Sequence, residues 1–204
     1  MPHWLGLRGL AKRHPPEYRD YLEVQLRRTL SKRETDPGIG AVTLINRIAD
    51  ARPSGGIVLC VGCRNPLELD RFRGRGFDPV VGIDLFSQRE DIKVMDMHEL
   101  TFGDESFDVV YCSHALEHSY DVGRVVQQIV RVARDGAVVG VEVPVRVQAS
   151  DADRVVFAGL DELRASFDSH IGTELLAEEQ APRSETNDQG TWVARLIFRL
   201  RKDH

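Results

Sequence analysis

Long apolar runs are missing from this chain of 204 residues. None approaches the ~20 consecutive residues that a membrane-crossing helix needs, so no membrane partner is expected. The N-terminal stretch MPHWLGLRGLAKRHPPEYRD carries basic side chains but no continuous apolar segment ahead of a small-residue cleavage site. A secretory leader is therefore not expected. Cysteine is scarce: Cys60, Cys63 and Cys112 are an odd number, and each lies in or beside an expected core strand. That argues against a disulfide framework and for reduced thiols in a cytoplasm. Internal repeats and low-complexity tracts are absent. So is a G-x-G-x-x-G turn, since the first apolar run is followed by GCRNPL, which argues against a nicotinamide-binding fold.

What is present fits a soluble globular protein, with 42% hydrophobic and 29% charged residues. The length allows one α/β domain, alone or with a short extension. The net charge of −5 is unevenly spread, because residues 1–33 hold eight Lys/Arg against three acids. Two readings stand: a solvated helical face, or a basic lip over an anionic substrate or nucleic acid. The acidic remainder argues against nucleic acid as a partner.

Pro15 and Pro16 precede a helical pattern in which Tyr18, Leu22, Leu26 and Leu30 recur. Asp36, Pro37 and Gly38 mark a turn. A second amphipathic segment follows with Ile39, Val42, Ile45 and Ile48 on one side, and Pro53 to Gly56 end it. Residues 1–54 are read as a helical extension that could serve as a lid or as a homodimerisation arm. Residues 55–204 are read as the main domain.

From Gly56 the pattern alternates. Ile57–Val61 is expected as the first strand, Leu67–Arg73 as a short helix, and Pro79–Ile83 as the second strand, ending at Asp84. Ile92–Met95 is the third strand, ending at Asp96, and Phe107–Cys112 the fourth. Asp121 can cap a helix with Val122, Val125, Val126, Ile129, Val130 and Ala133 on its face, stopping near Gly136. Ala137–Val143 is the fifth strand, closed by Pro144. Asp161–Phe167 is a further helix and Thr173–Ala177 a strand. Ala181 to Gly190 is a polar loop, and the period of two from Trp192 to Arg201 is a final strand. The alternation implies a doubly wound α/β sheet of about seven strands, mostly parallel, with an antiparallel C-terminal strand and helices on both faces.

Chemistry-bearing residues recur at the strand ends. Gly62 follows the first strand, Asp84 ends the second, Asp96 ends the third, and Ser113 and His114 follow the fourth. A strand-end carboxylate about 20 residues after a glycine turn fits a ribose diol, which offers two hydroxyl donors. The spacing thus points to a nucleoside-containing ligand. The plainer reading of such an Asp is a turn or helix-cap residue.

The segments VLCVGC, VVGIDLF, VMDMHELTFGDESFDVVYCSHALEHSYD and ARDGAVVGVEVP resemble the class I S-adenosylmethionine-dependent methyltransferases, type 11-like, over about three-quarters of the chain. The resemblance implies a Rossmann-like fold, S-adenosyl-L-methionine as cofactor and S-adenosyl-L-homocysteine as product. It implies that Val61, Gly62 and Cys63 line the methionine part, that Asp84 binds the ribose hydroxyls and that Leu85 packs by the adenine. Asp96 would accept from the adenine amino group, the Met97 N–H would meet a ring nitrogen, and Ser113 and His114 would lie near the reactive methyl. The chain departs from the family in its first motif. Cys60 stands at the usual acid position, and Arg64 and Asn65 stand where small residues are usual. Arg64 could crowd the methionine end or bind the cofactor carboxylate.

His114 is the leading candidate base, since an ordinary imidazole pKa of about 6.5 suits proton removal near neutrality. Glu142, before Pro144, is the second. His118 reads as a structural or capping residue and His98 as a loop residue on the adenine side. No metal site is assigned, because Cys60 and Cys63 form a lone CxxC without a second pair. The expected activity is methyl transfer to an acceptor, with a small molecule favoured over protein or RNA by the lack of a long insertion near the final strands. The alternative is a methyltransferase-like binding or scaffold protein without catalysis.

Overall fold

The computed structural model describes residues 14–31, 39–64, 66–87, 89–145, 147–168, 174–182 and 192–202. Helix α1 spans Pro16–Ser31, α2 Ile39–Ala51, α3 Pro66–Gly74, α4 Val122–Val132 and α5 Leu160–Asp168. Strands β1 Val58–Val61, β2 Val80–Asp84, β3 Ile92–Val94, β4 Phe107–Ser113, β5 Ala133–Val145, β6 Glu174–Pro182 and β7 Trp192–Arg199 form one sheet of order β3-β2-β1-β4-β5-β7-β6. Only β7 runs against the other described strands. Among the described residues no helix is long and apolar enough to cross a membrane.

The strands read as continuous apolar runs because both faces of the sheet are covered. On one face Val125, Val126 and Ile129 of α4 and Leu163 and Phe167 of α5 pack against Leu59, Val61, Val110, Val139 and Val141. On the other, Leu44, Ile45 and Ile48 of α2 and Leu69 and Phe72 of α3 cover Val58, Cys60, Val109, Tyr111 and Val138. Alternate strand residues therefore point to opposite cores. The stretch 1–54 divides in behaviour: α2 is part of the sheet's core, whereas α1 lies across the strand ends.

Several expected boundaries shift. The stripe Tyr18–Leu22–Leu26–Leu30 does not form the buried face of α1, which is Tyr18, Tyr21, Leu22 and Gln25, with Leu30 54% exposed. A strict spacing of four drifts about 40° per step around a helix of 3.6 residues per turn, so by Leu30 the stripe has rotated into solvent. Asp121 caps α4 as expected, its Oδ1 accepting from the Arg124 N–H at 3.0 Å. The helix then ends at Val132, and Ala133 already has extended geometry and begins β5. No loop separates them; the expected stop at Gly136 is a strand position with φ of 74°.

Pro144 lies within β5, paired with Val193 of β7. The β4–β5 ladder ends at Ser113–Glu142, so the missing proline N–H removes no ladder bond there. Strand β6 runs on to Pro182, past the expected Ala177. Asn65, Thr173, the turn at Asp36–Gly38 and the polar loop beyond Pro182 lie outside the described residues.

Helix α2 approaches β5 so closely that a Cβ on Gly140 would stand 2.4 Å from Ile48 Cδ1 and 3.3 Å from Leu44 Cδ1. Gly140→Val is expected to lower folding stability by about 1–3 kcal/mol through overpacking. Urea denaturation would read this as a lower midpoint at unchanged slope.

Candidate active site

In an open α/β sheet ligands bind where the strand order reverses, outside the carboxyl ends of the strands. Here the reversal lies between β1 and β4, with β2 and β3 on one side and β5 on the other. The carboxyl ends of these strands carry Gly62, Ser113–His114, Asp84, Asp96 and Glu142, and the structure brings them to one edge.

Gly62 has φ of 66°, and a Cβ there would stand 2.4 Å from the Ala115 Cβ. Both the backbone conformation and the space demand glycine. The side chains of Val61 and Cys63 are buried in opposite cores. Any lining of a ligand by these two residues therefore falls to their backbone. The Cys63 thiol donates to Glu68 Oε2 at 3.3 Å, and burial pushes its pKa well up. Cys60 is fully buried. Neither has the exposed, electropositive setting of a reactive thiolate.

Asp84 is half-buried, and burial pushes its pKa up to about 6. Its Oδ1 accepts from the Phe86 N–H at 3.3 Å and from Thr29 Oγ1 at 3.5 Å. Arg64 donates to the Thr29 carbonyl at 3.0 Å, and its charge opposes the rise at Asp84. Leu85 packs against Tyr18, Tyr21 and Leu22 of α1. Asp84 and Leu85, which the resemblance assigns to the ribose and the adenine, are thus covered by α1.

Asp96 lies 2% exposed beneath the same helix. Its Oδ2 accepts from the Tyr18 hydroxyl at 2.8 Å, and its Oδ1 from the His98 N–H at 2.9 Å. His98 Nε2 accepts from the Tyr120 and Asp121 N–H groups, so Nδ1 carries the ring proton and donates to Asp96 Oδ1 at 2.7 Å. Burial alone would raise the Asp96 pKa, but the His98 and Tyr18 donors more than offset it. Met97, next in the chain, is half-buried against the α4-side core.

Beyond β4, His114 stands at φ of 52°. Its Nε2 is 3.1 Å from Glu142 Oε1 and its Nδ1 3.5 Å from Glu117 Oε1. Burial works against the charged ring, but the two carboxylates outweigh it and raise the pKa to about 9. A pKa raised to about 9 favours the imidazolium at neutral pH, which weighs against the expected role of His114 as base. Glu142 is fully buried and bound by Arg195, His114 and, at 3.3 Å, Ser113 Oγ. Burial raises its pKa, yet His114 and Arg195 bring it below the ordinary value. Glu142, the second expected base, is placed here as the buried counterion of Arg195 and His114. Arg195 continues to Glu179 at 2.5 Å, and Glu179 to Arg47 of α2 at 2.6 Å.

Glu117, Tyr18 as a polar partner, and Asp153 are site residues not foreseen from the sequence. Glu117 sits inside the quoted ALEH segment, whose acid was the available signal. Asp153 has no such signal; only the fold brings it to 2.9 Å from His118 Nδ1. The Ala152 carbonyl lies 3.1 Å from the same nitrogen.

The sheet order, the reversed β7 and this edge of strand ends define a Rossmann-like fold of the methyltransferase type. A family model described as a methyltransferase domain matches residues 32–180, and the chain belongs to that family. Its fold is similar to that of Burkholderia thailandensis 1,6-didemethyltoxoflavin-N1-methyltransferase with bound 1,6-didemethyltoxoflavin and S-adenosylhomocysteine. That match has 16% identity and a TM-score of 0.66 over 81% of this chain and 80% of that one. It is also similar to the [4+2]-cyclase SpnF, at 17% identity and a TM-score of 0.63 over 92% of this chain and 96% of that one. A geranyl diphosphate methyltransferase in complex with GPP and sinefungin matches at 11% identity and 0.61, over 78% and 76%. At such identities the likeness concerns the fold. No curated protein matches the chain significantly by sequence.

The raised His114 pKa fixes a sign for stability. Its charged-state contribution is full below the ordinary 6.5 and is lost as pH rises toward about 9. Asn keeps the preference for positive φ while removing the charge. The stability advantage of the native protein over His114→Asn should therefore shrink steadily between pH 6.5 and 9 in parallel thermal melts.

Proposed function

We propose that this chain is an S-adenosylmethionine-dependent methyltransferase acting on a small-molecule acceptor. The observation that carries the reading is the convergence of Gly62, Asp84, Asp96 and the Ser113–His114 turn at the strand-order reversal of a methyltransferase-family sheet. The residues fit the cofactor. The positive φ at Gly62 turns the chain sharply after β1, and Asp84 offers a half-buried acceptor at the β2 end. Gly62 and Cys63 would hold the amino-acid part through their backbone, Asp84 the ribose hydroxyls, and Leu85, Asp96 and Met97 the adenine. The bound cofactor supplies a methyl group already activated by its sulfonium.

What this chain's own residues contribute is placement and shelter. Tyr18, Thr29 and Arg64 tie α1 over the cofactor side and keep water from it. The apolar face of α1 is used on its own Leu85 and Tyr120, which supports the lid role over a dimerisation arm. A small acceptor agrees with the small molecules bound by the toxoflavin-precursor and geranyl diphosphate enzymes. Three buried cysteines that form no disulfide suit a reducing cytoplasm.

A second reading, a cofactor-binding protein without methyl transfer, draws on Cys60 and Arg64 in the first motif and on a cyclase that shares the fold. Titration calorimetry with S-adenosylmethionine and S-adenosylhomocysteine tests the shared premise, and absence of heat at millimolar ligand would overturn both readings. Release of S-adenosylhomocysteine with a panel of hydroxyl and amine compounds separates them.

The Asp84 pKa near 6 adds a pH test. The carboxylate accepts from the ribose hydroxyls and the protonated acid does so poorly. Affinity for S-adenosylhomocysteine should fall as pH drops from 7.5 to 5. Asp84→Asn should weaken binding roughly 10- to 100-fold and flatten that pH dependence, as expected for losing hydrogen bonds to a charged acceptor.

A further inference from the structure

We infer that the buried corner formed by Glu117, His118 and Asp153 is the acceptor's binding and proton-accepting site, selecting O–H or N–H acceptors. The inference rests on the cofactor reading above and deepens it. Among the described residues Glu117 Oε2 and His118 Nε2 find no hydrogen-bond partner, and both are buried, in residues 2% and 8% exposed. Two unpaired buried polar atoms in adjacent residues are costly unless something fills the place. Glu117 Oε1 lies 3.6 Å from His118 Nε2 and 3.5 Å from His114 Nδ1.

The tautomer follows from the other ring nitrogen. His118 Nδ1 faces the Asp153 carboxylate at 2.9 Å and the Ala152 carbonyl at 3.1 Å, both acceptors, so Nδ1 holds the proton. Nε2 is then a bare lone pair. An imidazole oriented by a carboxylate at Nδ1, with Nε2 open, is the arrangement of a general base. Burial lowers the His118 pKa, Arg28 lowers it further, and Glu117, Asp153 and the Ala152 carbonyl oppose them, with a net fall. The ring is therefore neutral at pH 7, unlike the charged His114 across Glu117.

The corner is well placed. It follows the Ala115 turn that abuts Gly62. Helix α1 closes over it, Arg28 lying 3.8 Å from Asp153 and Gln25 donating to the Ala152 carbonyl at 2.7 Å. Its unbonded atoms are acceptors, so the group that completes it brings a hydrogen. The carboxylates of Glu117 and Asp153 repel a phosphate or carboxylate oxygen and favour a hydroxyl or an amine. In the transfer, the acceptor's X–H bond breaks and its proton goes to His118 Nε2. The freed electron pair forms the X–CH3 bond, and the S–CH3 pair stays on sulfur as neutral thioether.

Sinefungin tests this directly, because it carries an ammonium-bearing carbon where the cofactor has its methylsulfonium. That ammonium should donate into the Glu117–His118 corner. Calorimetry is expected to give tighter binding of sinefungin than of S-adenosylhomocysteine by at least about tenfold, as for a charge-assisted hydrogen bond. Glu117→Gln and His118→Asn should each abolish most of that preference while leaving S-adenosylhomocysteine affinity within about twofold, which also shows that they fold. An unchanged preference in both variants overturns the assignment. Failure of the native protein to bind either compound overturns the cofactor reading, and this one with it. Independently, nitrogen NMR of the histidine side chains should show His118 neutral with Nδ1 protonated at pH 7. A charged His118, or a proton on Nε2, overturns the proposal even where both nucleosides bind.

Discussion

The contact between the turn after β1 and the turn after β4 sets the terms for the rest of the molecule. Gly62 and Ala115 meet so closely that no side chain fits between them. That approach needs a residue with positive φ and no Cβ on one side and a small residue on the other. It brings the ends of the two central strands together where the sheet order reverses. Asp84 and Asp96 then fall on one flank of the contact. His114, Glu117, His118 and Glu142 fall on the other. The two flanks, the proposed donor side and the proposed acceptor side, are thus separated by one backbone crossing, and their chemistry differs accordingly.

The charges on the acceptor side are organised by burial. A row of alternating sign runs from His114 through Glu142 and Arg195 to Glu179 and Arg47, crossing β5, β7 and β6 and ending on α2. A fully buried carboxylate such as Glu142 is tolerable only with such partners. The row holds His114 in its charged form and leaves the neighbouring histidine, His118, with a different set of contacts and the opposite state. Two imidazoles four positions apart therefore divide the roles of fixed cation and proton acceptor, and the division comes from which carboxylate faces which nitrogen.

Much of this could be read from the chain. VLCV, VVGID and FDVVYC announce buried parallel strands by their mostly apolar character, and the end of each run marks the carboxyl edge of the sheet. The placement of Gly62, Asp84 and Asp96 at the strand ends was legible for that reason, as was the Asp121 cap. What escaped was long-range or collective. The Tyr18 bond to Asp96 spans 78 positions, and Asp153 reaches His118 only through the fold. The state of His114 depends on Glu142, 28 residues further on, so no local pattern could show that the ring is charged. The join of α4 to β5 was hidden because Gly136 imitates a helix stop, while Ala133 pairs with Phe107 and forces the strand to start early.

That join has a mechanical consequence. The N-terminal end of α4 is fixed by Asp121, whose N–H is held by His98 of the Asp96 cluster. Its C-terminal end passes without slack into the strand that carries Glu142. The helix of 11 residues spans about 16 Å and behaves as a strut between the two flanks of the site. No loop interrupts the join, so a shift at the Asp96–His98 cluster is carried through helix and strand backbone toward Glu142.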